Sequence, residues 1–152
     1  MSSAEQPGDR LHAVQRLQEI ELDQAQVERT RLQKAAEEQR RKLTDVEARL
    51  QECRTLEVSL MTGAAGVPVE SLRQIRAYLR VQAQELVQQQ EILSKAEAAA
   101  DDAVRSVVGN FQRLSATRRL RERRQAEASV QLLRARYKKL DDMAIVTKRN
   151  AQ

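Results

Sequence analysis

TGAAGVPVE, residues 62–70, gathers two glycines and a proline, and beyond Pro7 and Gly8 no other stretch of the 152-residue chain concentrates turn formers this way. Glycine and proline are the strongest local breaks of helical periodicity, so one cut here predicts about 50 residues of helix before it and about 80 after it. Everything else in the sequence bears on whether those two helices pair, and on what the longer one does with its surplus.

Composition already excludes most alternatives. Aromatic residues make up 2% of the chain, namely Tyr78, Phe111 and Tyr137, too few to build a globular core. Charged residues reach 32% while hydrophobic ones remain at 41%, the balance of long helices and coiled coils rather than of a disordered tail. The sequence has no apolar run near the roughly 18 residues that span a bilayer, and MSSAEQPGDR has neither a basic nor an apolar leader region. A cytoplasmic protein without membrane insertion is expected. Cys53 is the only cysteine and falls in an apolar register, as a small core residue; His12 is the only histidine. With no metal-ligand cluster and no glycine-rich phosphate loop, neither a metal, a cofactor nor an enzyme is expected.

Before the break, Leu22, Ala25, Leu32, Ala36, Leu43, Val46, Leu50, Cys53 and Leu60 recur in alternating steps of three and four, with Arg29, Gln39 and Glu57 in the same register. After it, Leu72, Ile75, Leu79, Ala83, Leu86, Leu93, Ala100, Val104, Val107, Phe111 and Leu114 form a second seam, interrupted by Gln90 and Glu97. Such spacing is that of coiled-coil helices. Setting Gln39 against Gln90 aligns the rest: Leu43 meets Leu86, Val46 meets Ala83, Leu50 meets Leu79, Ala25 meets Val104. It also places Glu97 near Arg29 and the turn midpoint between Ala64 and Ala65, inside the break found from composition alone.

The fold class expected is therefore all-α, an antiparallel two-helix coiled-coil hairpin whose second helix extends beyond the first. The boundaries read 1–9 for a flexible N-terminus, 10–61 for helix 1, 62–68 for the turn and 69–149 for helix 2, with 120–149 as the extension. Asp9 suits the N-cap of helix 1 and Gly63 a left-handed C-terminal cap. Pro68 suits the first turn of helix 2, with Glu70 at its positive end. Gly109 reads as a tolerated glycine.

Past Leu114 the seam slips, and a new one runs through Ala126, Val130, Leu133, Tyr137, Leu140 and Ala144. At the slip, Arg118, Arg119, Arg121, Arg123 and Arg124 surround Leu120 and Glu122. Residues 1–68 hold 10 Lys and Arg against 12 Asp and Glu, and residues 69–152 hold 17 against 10. The arginine band lies at or past the start of helix 1, so nothing within the chain is expected to oppose it. A solvated helix face, a nucleic-acid backbone and an acidic protein groove are all compatible with such a band. The absence of interleaved aromatic residues weighs against nucleic acid, and the second apolar stripe favours a protein groove.

Three segments resemble one family. RLHAVQRLQEIE, from Arg10, is similar to the opening of the injectisome branch of the type III secretion central stalk proteins (YscO or SctO of injectisomes, FliJ of flagella). SLRQIRAYL, from Ser71, resembles the family's hairpin end, and YKKLDDMA, residues 137–144, its C-terminal basic-then-acidic segment. The resemblance implies a stalk set in the pore of a type III secretion ATPase hexamer, promoting its activity and linking it to the export-gate cytoplasmic ring and to secretion chaperones, at the cytoplasmic face of the apparatus. It implies ATPase contact at Arg118, Arg119, Arg121, Arg123, Arg124, Lys138, Lys139, Asp141 and Asp142. Export-gate contact carries over to Ile75, Leu79 and Leu86, with Arg76 and Tyr78 as exposed neighbours; a flagellar pattern has an aromatic residue where Ile75 stands. The hairpin is expected to be a monomer in isolation. A structural coiled-coil dimer or scaffold and a basic helical nucleic-acid adaptor are the rival readings.

Overall fold

The computed structural model describes residues 7–63 and 66–152, with side chains from Arg10 onward. Two helices make an all-α helical hairpin: α1 spans Pro7–Met61 and α2 spans Val69–Asn150. Helix α1 thus begins ahead of Asp9, whose backbone is helical rather than capping; its side chain, like residues 1–6 and the expected turn midpoint at Ala64 and Ala65, lies outside the described residues.

The helix ends differ from the sequence expectation in instructive ways. Gly63 does not take positive φ; Gly66 does, at 90°. At the end of α1 Thr62 donates its amide to Val58 O at 3.0 Å and its hydroxyl to the same oxygen at 2.9 Å and to Ser59 O at 3.4 Å. A side-chain donor at the last turn removes the need for a left-handed residue there. Pro68 lies one position before α2, and its carbonyl accepts the first helical bond from Leu72 N at 3.0 Å.

The chain divides into two compact units, Gln24–Val107 and the pair Met1–Asp23 with Val108–Gln152. In the unit formed by Gln24–Val107, α1 buries Ala36, Val46 and Leu50 and half-buries Ala25, Leu32, Leu43, Cys53 and Leu60. On α2, burial follows Leu72, Ile75, Leu79, Gln82, Leu86, Gln89, Leu93, Ala96, Ala100 and Ala103. Ala83, Gln90 and Val104 are exposed, so the α2 seam runs one residue earlier than expected at each of these points. Phase explains this: an unbroken three-four alternation from Leu72 requires 82, 89, 96 and 103, and a regular helix cannot shift its face at single positions.

The same shift moves the polar contacts. Gln39 meets Gln89, whose Nε2 donates to Gln39 Oε1 at 2.7 Å, rather than Gln90. Glu97 accepts from Arg40 Nε at 2.9 Å and not from Arg29, whose Nε is buried without a partner. Arg49 with Glu85 and Arg76 with Glu57 are further interhelical ion pairs among the described residues of this unit. Each is solvent-accessible and contributes at most about 1 kcal/mol, so they fix register while the apolar seam supplies stability, about 1.5–3 kcal/mol for each fully buried Leu or Val.

In the other unit the paired part is short. Leu114, 2% exposed, is its one buried apolar residue among those described, with Leu11, Gln15, Gln18, Leu22, Asn110 and Thr117 half-buried around the seam. Phe111, expected in the seam, is 55% exposed because Asn110 holds the seam position.

Two substitutions test this packing. Gln82 is 4% exposed and its Oε1 has no partner, so Gln82→Leu is expected to raise stability by about 1–2 kcal/mol in chemical denaturation. A Cβ built on Gly109 has no heavy atom within 4 Å, so Gly109→Ala is expected to add about 1 kcal/mol and raise the melting temperature by a few degrees.

Candidate partner-binding surface of the helix 2 extension

The hairpin closes on a four-residue polar network within the unit containing Val108–Gln152. Arg121 Nη1 donates to Gln15 Oε1 at 3.1 Å, Gln15 Nε2 donates to Glu19 Oε1 at 3.0 Å, and Arg118 Nη2 donates to the same carboxylate at 3.3 Å. The Gln15 hydrogen bond, followed by that of Arg118, holds the Glu19 carboxyl below its ordinary value. Two arginines of the band are thereby opposed from within the chain, contrary to expectation, because α1 reaches the band from its Gln15 to Glu19 turn.

Arg119, Arg123 and Arg124 are exposed and have no hydrogen bond or ion pair among the described residues. For Arg118, Arg119, Arg121 and Arg123 the division follows helical phase. At about 100° per residue, Arg118 and Arg121 fall toward the side of Leu114 and Thr117, whereas Arg119 and Arg123 turn away from it.

Beyond Arg121 every residue to Gln152 is exposed, while the backbone remains helical to Asn150. This stretch is about 43 Å of single helix at 1.5 Å per residue. Val130, Leu133, Tyr137 and Leu140 are all exposed, Tyr137 at 66%. With Ala126 and Ala144 they share one face, turned roughly 150° from that of Leu114, Thr117 and Arg121 on an ideal helix. Arg119 and Arg123 lie on the stripe's side. A bare heptad stripe headed by two unpartnered arginines is suited to receiving a partner element with carboxylates at one end. Lys138, Lys139, Asp141 and Asp142 are exposed around the same segment and make no ion pair among the described residues.

Near the turn, Arg76 is exposed and paired with Glu57, and Tyr78 is exposed. Ile75, Leu79 and Leu86 are half-buried in the hairpin seam. The structure therefore separates the expected export-gate set into two surface residues and three packing residues. Among the described residues no group of three or more His, Cys, Asp or Glu is placed to hold a metal, and no helix is long and apolar enough to cross a membrane.

Over residues 7–152 the chain matches the family model described as flagellar FliJ protein. It belongs to the FliJ family. FliJ-family membership makes this an export-apparatus stalk protein of flagellar and type III systems, from a family that is non-catalytic and associates with export ATPase complexes. No curated protein and no solved structure matched the chain. Sequence reasoning grouped the five arginines as one surface; the angle relative to Leu114 and Thr117 separates Arg118 and Arg121 from Arg119 and Arg123, whereas Arg124 falls on the Leu114 and Thr117 side and has no ion pair among the described residues.

The network makes a pH prediction. Because the folded-state pKa of Glu19 is depressed, its contribution is present above the unfolded value and is lost as pH falls through the folded one. Arg118→Gln is expected to raise the Glu19 titration midpoint measured by NMR, only in part since Gln15 remains. The melting difference between variant and parent should vanish in acid.

Proposed function

We propose that this FliJ-family protein is the central stalk of a type III secretion export ATPase, of the injectisome branch. Its α2 extension inserts in the pore of the ATPase hexamer at the cytoplasmic face of the apparatus and promotes hydrolysis. The observation that carries the proposal is the length of α2 that, among the described residues, is left without a partner after Arg121, bearing arginines without an ion pair and an apolar stripe that a solvated helix does not need. A short α1 sets where the paired shaft ends, and the unpaired helix is slender enough to enter a ring. The hairpin acts as a monomer.

Within this reading Arg119, Arg123 and Arg124 contact acidic groups of the ATPase, with Lys138, Lys139, Asp141 and Asp142 further along. Arg118 and Arg121 hold α1 in place and present the band. At the other end, Arg76 and Tyr78 contact the export gate, while Ile75, Leu79 and Leu86 support that surface from the seam. Secretion chaperones are the third class of partner.

The test is ATP hydrolysis by the cognate export ATPase. Reversing Arg119, Arg123 and Arg124 to Glu is expected to abolish stimulation while helicity and melting stay unchanged, since none of the three makes a hydrogen bond or ion pair among the described residues. Reversing Arg118 and Arg121 should instead lower hairpin stability. Unaltered stimulation by the triple variant would overturn the contact assignment.

A further inference from the structure

Among the described residues three polar side-chain atoms are buried without a hydrogen-bond partner, Gln18 Oε1, Arg29 Nε and Gln82 Oε1, and all three belong to seam positions. Gln82 is the most enclosed, at 4% exposure. Ion pairs on the two flanks of the seam set which seam residues stand level: Arg40 with Glu97 and Arg118 with Glu19 on one flank, Arg49 with Glu85 on the other. They put Gln82 level with Leu50, Gln18 with Leu114 and Arg29 with Ala103. Each is a polar group against an apolar one.

Two heptad seams face each other again after a slide of one whole heptad, so register is a choice between discrete states. A slide of α2 by one heptad toward the turn brings Gln82 level with Glu57. The Glu57 carboxylate can accept from the Gln82 amide, and its side chain is 23% exposed, so water reaches that level of the seam. The same slide brings Gln18 level with Arg121, whose guanidinium is a donor for the buried carbonyl oxygen. Arg29 follows the same rule, since Asn110, which carries a side-chain acceptor, stands one heptad beyond Ala103 on α2. The opposite slide fails, because it sets Gln82 against Leu43 and Arg29 against Ala96. Three unpartnered atoms thus call for the same step in the same direction.

We infer that the hairpin has a second register, with α2 displaced along α1 by one heptad, about 10 Å, toward the turn. The register of the structure is the ground state because it keeps Leu72 buried, joins Gln39 to Gln89 and makes the flanking ion pairs. The slide gives these up and draws residues 69–75 into the turn, beside Gly63, Gly66 and Pro68. It also carries the end of pairing on α2 from Arg121 to Ala128, so release at the turn and coverage at the root of the extension occur together. A partner that favours one register therefore shifts the population of the other. The inference rests on the seam alone and not on the stalk reading.

Disulfide trapping on the full chain tests it, in a Cys53→Ser background, at dilute protein under copper-phenanthroline, with intrachain bonds read by mass spectrometry. Arg54→Cys with Ala83→Cys reports the ground register, because these positions stand to each other as Arg40 does to Glu97. Arg54→Cys with Gln90→Cys can close only after a slide of one heptad, and Arg54→Cys with Glu97→Cys only after two or after local unfolding. Closure is expected to be fastest at Ala83, slower at Gln90 and far slower at Glu97. Adding Gln18→Leu and Gln82→Leu, which suit the ground register and spoil the second, should slow closure at Gln90 about tenfold, with Ala83 and Glu97 little changed. Closure at Gln90 no faster than at Glu97, a leucine variant that closes at Gln90 as fast as the parent, or equal slowing at Gln90 and Glu97 would overturn the inference. No ATPase enters the measurement, so its outcome leaves the stalk reading untouched.

Discussion

A helix can bury an apolar seam only against a second seam of matching length, and α1, with 55 residues, is shorter than α2, with 82. This mismatch governs the molecule. The position of the break, set by Gly63, Gly66 and Pro68, decides how much of α2 is committed to the hairpin. The apolar residues past Arg121 then follow a different phase, so that they would not face α1 even if it were longer. The extension is thus encoded twice, by the site of the turn and by the rotation of the stripe.

Polar residues inside the seam shape the rest. Gln39 with Gln89 satisfies itself across the helix pair, whereas Gln82 and Arg29 each bury an atom without a partner. Unpaired buried groups cost stability but penalise slippage less than they penalise alternatives in which more of them are buried, and a matched glutamine pair favours one register over its neighbours. At the closing end, Gln15 serves both helices at once, accepting from Arg121 and donating to Glu19. Gln15 and Glu19 together draw Arg121 and Arg118, two basic residues of a surface band, into the hairpin.

Much of this was legible in the sequence. The break, the two helices, the α1 seam and the outward stripe at Val130 to Leu140 follow from turn chemistry and heptad spacing, which are local. The α2 seam was misplaced by one residue where a more apolar side chain stood beside the true position, Ala83 beside Gln82, Val104 beside Ala103 and Phe111 beside Asn110, and also at Gln90 beside Gln89. Hydrophobicity pulled the assignment off phase, while the helix kept it, because rotating by a residue to bury Phe111 would have exposed Leu114. The cap at Thr62 was missed since a hydroxyl bonding its own helix leaves no composition signal. The division of the arginine band was hidden for the same reason as the seam error, as both depend on knowing the phase of α2.

The central claim is that α2 beyond Arg121 has no partner among the described residues of the chain and awaits one outside it. Amide hydrogen exchange with and without the cognate export ATPase addresses this most directly. The account predicts that Gln24–Val107 is strongly protected in the free protein, that residues 122–150 exchange far faster despite being helical, and that the ATPase slows exchange in that segment above all others. Protection of residues 122–150 in the free monomer, or protection by the ATPase confined to Gln24–Val107, would contradict it.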